Sequence, residues 1–253
     1  MLKYFYLLLP LFAGSIFSQI NIESLRMEED STDIWSGHVE SELTVKKGSS
    51  DVVLLESTVS VGADWDDRGA LVIVKGDIGE SNGARISNSF VAHLRYVEKV
   101  SDFLNIEAFV QYNYNLSRKL LGREIEGAGV RLRLHESELL KVRFGLGGMY
   151  ESERYNITPG SEVASEDSRL RGSSYLALIF LPAHNIKITS TTYYQPAFNT
   201  INNFRMLSET KAAFKFSSDL SFAVKFNLFY DNLPLPGLKT YEIDSKYGIT
   251  WEF

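Results

Sequence analysis

From about residue 36 to its end, the chain alternates apolar and polar side chains with a period of two. In one run, every second residue from Leu220 to Tyr230 is apolar, and Ser221, Lys225 and Asn227 lie between them. An α-helix would group apolar residues at spacings of three and four, whereas a strand places alternate residues on one face. The chain is therefore predicted to be all-β, with one apolar and one polar face on each strand.

Counting these runs predicts about twelve strands. They lie near 36–46, 52–65, 69–79, 86–97, 103–115, 124–135, 139–152, 169–181, 185–195, 204–216, 219–231 and 240–253. Most of them are longer than the five or six residues, on average, of strands in soluble sheets. A tilted strand needs roughly 9–11 residues to cross a bilayer, so the lengths favour strands that span a membrane.

The lengths of the connections alternate as well. Every even-numbered connection is short: Asp66–Arg68 joins the second strand to the third, and Ser217–Ser218 joins the tenth to the eleventh. All the long connections are odd-numbered, including that from Glu153 to Ser168. A barrel with strands running up and down has short periplasmic turns on one rim and longer external loops on the other. We therefore predict a single closed up-and-down antiparallel transmembrane β-barrel of about twelve strands, with both termini in the periplasm.

The N-terminus has the order of a secretion signal. A short basic start, Met1–Lys3, precedes an apolar stretch from Tyr4 to Phe17, and small residues offer cleavage after Ser15 or after Ser18. The stretch is shorter than the roughly 20 residues of a membrane-spanning helix. We expect residues 1–18 to be a cleaved signal peptide, 19–35 an N-terminal periplasmic lead-in, and 36–253 the barrel. The alternative is a buried or retained N-terminal helix.

Composition excludes several classes of function. The net charge is -6 and the pI about 5.4, whereas a nucleic-acid binder needs a basic face. The absence of cysteine leaves no disulfide, zinc–thiolate site or thiol nucleophile. The four histidines have no metal-ligand spacing. We therefore predict no metal, no cofactor and no nucleic-acid partner.

The last strand carries a second signal of a membrane barrel. Tyr247, Ile249, Trp251 and Phe253 alternate with polar residues, and the chain stops on the Phe. We interpret these four residues as the signal by which the barrel-insertion machinery recognises the protein. Pairing with the first strand would then remove an apolar edge that is prone to aggregation. The alternative is an ordinary C-terminal edge strand.

The polar face of the middle strands, which would line the interior of a barrel, is strongly charged. We predict a charge cluster in the interior, made of Arg95, Glu107, Arg131, Arg133, Arg143 and Glu151. Arginine keeps its charge at any physiological pH, so the cluster must be balanced by carboxylates, water or a bound anion. By strand order the nearest carboxylates are those of Glu107, Glu151 and Glu153, which would leave a positive excess near mid-barrel.

A hydrolase was considered on the triplet Ser81-Asn82-Gly83. Outer-membrane phospholipases of similar size place a histidine two residues before such a triplet, but this chain has Gly79 there. Without that base the hydroxyl is not activated, and Asn-Gly is a common pair in hairpin turns. We predict no catalytic residue and no enzymatic activity.

Four segments of the middle strands form a recognisable set. They are His93–Tyr96, Glu107–Gln111, Arg123 with Gly127–Arg131, and Gly145–Glu151. In residues and spacing they resemble a family of unknown function described as salt-induced outer-membrane proteins, to which Trp35–Thr44 is similar more loosely. After the first strand that family usually has Ser-Gly-Asn, where this chain has Lys47-Gly48-Ser49-Ser50. The resemblance implies a barrel in the cell outer membrane and brings no catalytic residues.

Two functions are compatible with these observations. The first is a narrow, porin-like conduit for small polar or anionic solutes. The second is a non-conducting structural or envelope-stress barrel with a charge-paired core, which binds partners through its external loops. In either case we expect a monomer in contact with outer-membrane lipid. Twelve strands enclose a lumen between those of filled eight-strand barrels and open 16-strand porins, so strand number does not decide between the two.

Overall fold

The computed structural model describes residues 34–46, 51–157 and 164–252. Twelve strands form one antiparallel sheet in sequence order, and β1 pairs with β12, so the sheet closes into a barrel. The strands are β1 (Trp35–Lys46), β2 (Val52–Trp65), β3 (Arg68–Ser81), β4 (Ala84–Ser101), β5 (Leu104–Asn115), β6 (Leu120–Glu136), β7 (Leu140–Tyr155), β8 (Glu166–Ala183), β9 (Ile186–Pro196), β10 (Phe204–Lys215), β11 (Leu220–Asp231) and β12 (Tyr241–Glu252). The predicted closed up-and-down barrel is confirmed. The predicted signal peptide, most of the lead-in and Phe253 lie outside the described residues.

Several strands are longer than predicted. β6 begins at Leu120 rather than near 124, and β4 and β8 each have 18 residues. The pairing of β6 with β7 shifts register between Leu120 and Gly122 and again between Arg133 and His135. A β-bulge breaks the strict period of two. The alternation therefore underestimates the length of a strand that continues past a bulge.

The two rims differ as the connections predicted. The even-numbered connections form a short-turn rim, where residues 66–67, 102–103 and 184–185 join neighbouring strands. The odd-numbered connections form a long-loop rim, which includes the loops 197–203 and 232–240. Two odd-numbered connections are short. Residues 116–119 join β5 to β6, and Asn82 and Gly83, which join β3 to β4, both have positive φ, 48° and 78°, as a type I′ hairpin turn requires. The Ser81-Asn82-Gly83 triplet is therefore a tight turn.

Apolar side chains cover the outer wall of the barrel. Among the outward residues, Leu146, Ile249 and Val110 expose 56%, 56% and 48% of their surface. Exposure of this size for large apolar residues all round a closed sheet fits a wall that faces lipid. Within the described residues no helix is long and apolar enough to cross a bilayer.

Side chains fill the interior, and some of them are aromatic. Phe109 and Tyr175 are buried inside the barrel. A Cβ at Gly127 would collide with the Phe109 ring, and one at Gly145 would collide with the Tyr175 ring. These two glycines therefore make room for rings inside the barrel. The sequence pattern predicted a polar interior, and these rings depart from it.

The seam between β1 and β12 is the shortest strand pairing. Among the described residues it contains four residue pairs, from His38 opposite Glu252 to Ser41 opposite Ile249. The pairing of β1 with β2 contains twelve, from Trp35 opposite Ala63 to Lys46 opposite Val52. The barrel therefore closes through fewer backbone hydrogen bonds than hold its other strands together.

Candidate functional site

Glu151 lies at the centre of an ion-pair network inside the barrel. Its side chain is fully buried, and its carboxylate accepts hydrogen bonds from Arg123, from Arg171 Nε at 2.9 Å and from Arg205 Nη1 at 3.1 Å. These arginines come from β6, β8 and β10, so side chains from four strands meet at one carboxylate. Inward alternation on each strand places them there.

Arg205 extends the network to two further carboxylates. Its Nη1 lies 2.8 Å from Glu153 Oε1, and its Nε lies 3.0 Å from Asp231 Oδ2. Arg123 Nε lies 3.2 Å from Glu153 Oε1. We call this set the arginine network; its members are Arg123, Glu151, Glu153, Arg171, Arg205 and Asp231. Three cations face three carboxylates, so the network is balanced.

A second network, built on lysine, occupies the opposite wall. Glu40 on β1 lies 2.6 Å from Lys225 Nζ and 3.4 Å from Lys211 Nζ, and it accepts a hydrogen bond from Thr250 Oγ1 at 3.1 Å. Glu56 on β2 pairs with lysines of β3 and β12. We call this set the lysine network; its members are Glu40, Glu42, Glu56, Lys75, Lys211, Lys225, Asp244 and Lys246. Four lysines face four carboxylates, so the lysine network is balanced too.

Between the two networks, Arg95 and Glu107 form a buried pair on β4 and β5. Arg95 Nη1 donates to Glu107 Oε2 at 2.6 Å, and Arg95 Cζ lies 4.7 Å from the centre of the Phe109 ring. Tyr175 on β8 reaches across the interior and donates to Glu107 Oε2 at 3.2 Å. Tyr193 packs on Tyr175, with 5.1 Å between ring centres. The middle of the barrel is therefore crossed by side chains.

The residues predicted as one charge cluster lie at different heights along the barrel axis. Glu151 belongs to the arginine network, whereas Arg143 contacts Glu136 near the short-turn rim. Arg133 also contacts Glu136 there, at 4.0 Å. Arg131 is buried, with 4% of its surface exposed. The arginines that contact Glu151 are Arg123, Arg171 and Arg205, none of which belongs to the predicted cluster, so the positive excess predicted near mid-barrel stays a prediction.

The predicted insertion signal lies on the outer wall of β12. Tyr247, Ile249 and Trp251 expose 55%, 56% and 47% of their surface. Ile249 and Trp251 belong to the seam, opposite Ser41 and Val39 of β1. Their placement is compatible with recognition before closure, which stays a prediction.

The connection between β5 and β6 crosses the long-loop rim. It contains a one-turn 3-10 helix, Leu116–Arg118, and ends at Lys119. Arg118 Nη1 lies 2.8 Å from Glu242 Oε1 on β12, and Lys119 Nζ donates to the backbone oxygen of Pro236 at 3.1 Å. In a ring of twelve strands, the β5–β6 and β11–β12 connections lie opposite each other. We call residues 116–119 the strap, because they bridge the mouth across its diameter.

A cavity of about 280 Å³ lies next to the strap at the long-loop rim. The lining contains guanidinium groups from the strap, β6, β8 and β10, and carboxylates from β7, β8 and β11. It also contains apolar side chains from β6, β11 and the β11–β12 loop. The polar lining is Arg118, Arg123, Glu153, Asp167, Arg169, Arg171, Arg205 and Asp231, and the apolar lining includes Leu120, Phe229, Leu233, Leu235 and Leu238. The floor of the cavity is thus the arginine network.

Arg171, Arg205, Asp231 and the lysines of β10 and β12 were missed from the sequence. Arg169 and Arg171 alternate on β8, so the period of two could have assigned both to the interior. Two partners of Arg205, Glu151 and Glu153, are three strands away on β7, and a pattern within single strands does not contain that relation. Among the described residues no group of three or more metal-ligating side chains is placed to hold a metal.

Solved structures resemble the barrel in fold. The NanC porin aligns with a TM-score of 0.54 and 12% identity, over 85% of this chain and 98% of NanC. The KdgM porin aligns with a TM-score of 0.47 and 9% identity, over 87% and 99% of the two chains. The translocator domain of the autotransporter NalP from Neisseria meningitidis gives 0.47 and 12%, over 89% and 90%. The alignments with KdgM and NalP have TM-scores below 0.5 and support no argument. The alignment with NanC shows a similar fold and nothing more.

Sequence comparison identifies the family of the chain. No curated protein matches the chain. Residues 42–253 match the family model described as a protein of unknown function, DUF481, and the chain therefore belongs to that family.

Proposed function

We propose that the protein is a narrow conduit for small polar or charged solutes, closed in this conformation by its interior ion pairs. One observation carries the proposal: five of the six members of the arginine network line the cavity at the long-loop rim. Below that floor, charged pairs continue through Arg95 and Glu107 to the pairs of Glu136 near the other rim. A polar solute would thus meet charged partners near both rims and, beside the rings of Tyr175 and Tyr193, in the middle of the barrel.

The energetics of buried charge support a conduit. Removing an ion pair from water costs several kcal/mol per ion, and well-packed apolar residues of similar volume often serve stability equally well or better. A barrel selected only for stability has no need of two networks as extensive as these. Ion pairs, unlike packed methyl groups, can exchange one partner for water or for a solute group.

The outer wall supports placement in the outer membrane. Its apolar belt suits lipid contact, and the likeness in fold to a porin is consistent with that location. We infer export by a signal peptide, insertion through recognition of the last strand, and a monomer. By parity of the connections, we assign the long-loop rim to the cell exterior and the short-turn rim to the periplasm. No catalytic role is proposed.

Conductance of the purified barrel in a planar bilayer tests the conduit. We expect small, discrete current steps from the wild type. In Arg118→Gln the strap loses its ion pair with Glu242, so we expect the channel to be open for a larger fraction of the recording time. Heat-modifiable gel mobility checks that both proteins are folded, and Arg85→Gln, at the same rim but outside the cavity, is the matched control. Folded wild type and Arg118→Gln that both carry no current would contradict the proposal.

One observation favours a second candidate, a non-conducting barrel with a paired core. Arg95, Arg123 and Glu151 each expose 1% of their surface or less, so water does not reach them in this conformation. Under this alternative no voltage or variant at the strap would produce current. The conductance experiment therefore separates the two candidates.

A further inference from the structure

The cavity at the long-loop rim has features of a ligand site. Its volume is about 280 Å³. Its lining combines arginines with the apolar side chains of Phe229, Leu233, Leu235 and Leu238. A ligand that fits both kinds of lining has an anionic end and an apolar body.

The arginines of this cavity fall into two groups. Those of the floor are locked, because their carboxylate partners Glu151, Glu153 and Asp231 expose 6% of their side chains or less. Arg118 and Arg169 have more exposed partners, since the side chains of Glu242 and Asp167 expose 28% and 31%. Partly exposed ion pairs contribute little to stability. A carboxylate from solution can therefore replace these two partners at low cost.

The guanidinium group of Arg169 also has a hydrogen-bond donor that is not used within the described part of the chain. Its Nε is buried and has no hydrogen-bond acceptor among the described residues. A buried donor without an acceptor costs free energy, and a planar carboxylate matches the donor fork of a guanidinium group. A ligand carboxylate would satisfy this donor.

We propose that the cavity binds a small organic monocarboxylate with an apolar body, with its carboxylate on Arg118 or Arg169 and its body against the leucines of the β11–β12 loop. The inference deepens the proposed conduit, because it names the class of solute at its outer entry. A carboxylate that takes the place of Glu242 on Arg118 would also release the strap. Binding at this entry would then loosen the bridge across the mouth.

Calorimetric titration of the barrel in nanodiscs tests the site, with empty nanodiscs subtracted. The probe is benzoate, and benzyl alcohol and benzylamine are its uncharged and cationic counterparts. We expect saturable binding of benzoate and much weaker binding of the other two. Loss of a charge-assisted hydrogen bond in Arg118→Gln or Arg169→Gln should weaken benzoate about tenfold. In Arg85→Gln, which removes the same charge from the same rim outside the cavity, affinity should be unchanged.

Several results would overturn the site. Equal binding of benzoate and benzyl alcohol would mean simple apolar partition. An equal loss in Arg85→Gln would mean attraction by the surface charge of the rim. Absence of saturable benzoate binding to the folded wild type would remove the site altogether, independently of any variant. None of these results depends on current through the barrel, so failure of the site and failure of the conduit are distinguishable.

Discussion

Arg118 and Glu242 form an ion pair of 2.8 Å although they belong to connections and strands on opposite sides of the barrel. Arg118 also lies over the ring of Phe229 on β11, with 4.2 Å from Cζ to the ring centre. The backbone oxygen of Lys119 in turn accepts a hydrogen bond from Asn156 N at 2.7 Å. The strap is thus fixed at both ends across the mouth.

Cross-linking tests that bridge directly. The chain has no cysteine, so Arg118→Cys with Glu242→Cys gives one thiol on each side of the mouth. We expect a short bis-maleimide to join them within one chain, because the hydrogen bonds of Lys119 with Pro236 and Asn156 still hold the strap across the mouth; altered gel mobility of the denatured protein measures the product. Arg118→Cys with Ser218→Cys, on the other rim, is the control. Equal yields from both pairs would mean that the strap does not cross the mouth.

The seam should depend on Glu40. Its carboxylate joins β1 to lysines of β10 and β11 and to Thr250 of β12, where backbone pairing is short. Glu40→Gln removes the carboxylate nearest to the buried Lys225 and a charged contact of the buried Lys211, so we expect a loss of about 3–5 kcal/mol in the free energy of unfolding. Urea unfolding in detergent measures it. Glu124→Gln, on the exposed outer wall, should change stability little; equal losses would mean that Glu40 does not hold the seam.

Arg133 should tune ion selectivity if the barrel conducts. Near the short-turn rim, Arg133, Lys141 and Arg143 all contact the single carboxylate Glu136, so we expect a preference for anions at this end. Arg133 exposes 30% of its side chain, and Arg133→Glu should therefore fold and weaken or invert the preference. Reversal potentials in a salt gradient measure the change.

The control for ion selectivity is a charged residue outside the proposed conduction path. Lys99 lies at the same rim, exposes 44% of its side chain and pairs with Asp102. Lys99→Glu should leave the reversal potential as it is. A shift in Lys99→Glu as large as that in Arg133→Glu would assign the effect to general surface charge.

Orientation in the membrane can be tested with single cysteines. Thr200 lies in the exposed loop between β9 and β10, and Ser218 lies in the turn between β10 and β11. We expect an impermeant maleimide to label Thr200→Cys, but not Ser218→Cys, in intact cells. Labelling of both after the outer membrane is permeabilised controls for reactivity. The reverse pattern would place the long-loop rim in the periplasm.

The barrel could be predicted from the sequence because its two main constraints are local. Alternation within each strand assigns a face to residues such as Glu107 and Glu151, and the lengths of the connections assign each strand a direction. Neither depends on knowing which strands lie opposite each other across the interior. The closed sheet then follows from an even number of strands.

The pairing inside the barrel could not be predicted in the same way. Arg205 meets Glu151 three strands away, and Lys211 meets Glu40 across the seam. Such contacts depend on strand tilt, on register shifts at bulges such as that at Leu120, and on the length of each side chain. The strap could not be predicted either. Nothing in Asn115–Arg123 indicated a contact across the mouth, and Glu242, the partner of Arg118, is more than a hundred residues away in sequence.

The short seam also determines the order in which the molecule can assemble. Pairs within a hairpin such as β2–β3 close loops of a few residues, whereas His38 and Glu252 are joined only after almost the whole chain has been threaded. Loop-closure entropy and sequence separation both make that contact slow. Until it forms, β1 and β12 are open edges, which makes the unclosed sheet the species most exposed to aggregation. By the same reasoning, we expect the finished barrel to open first at this strand pair.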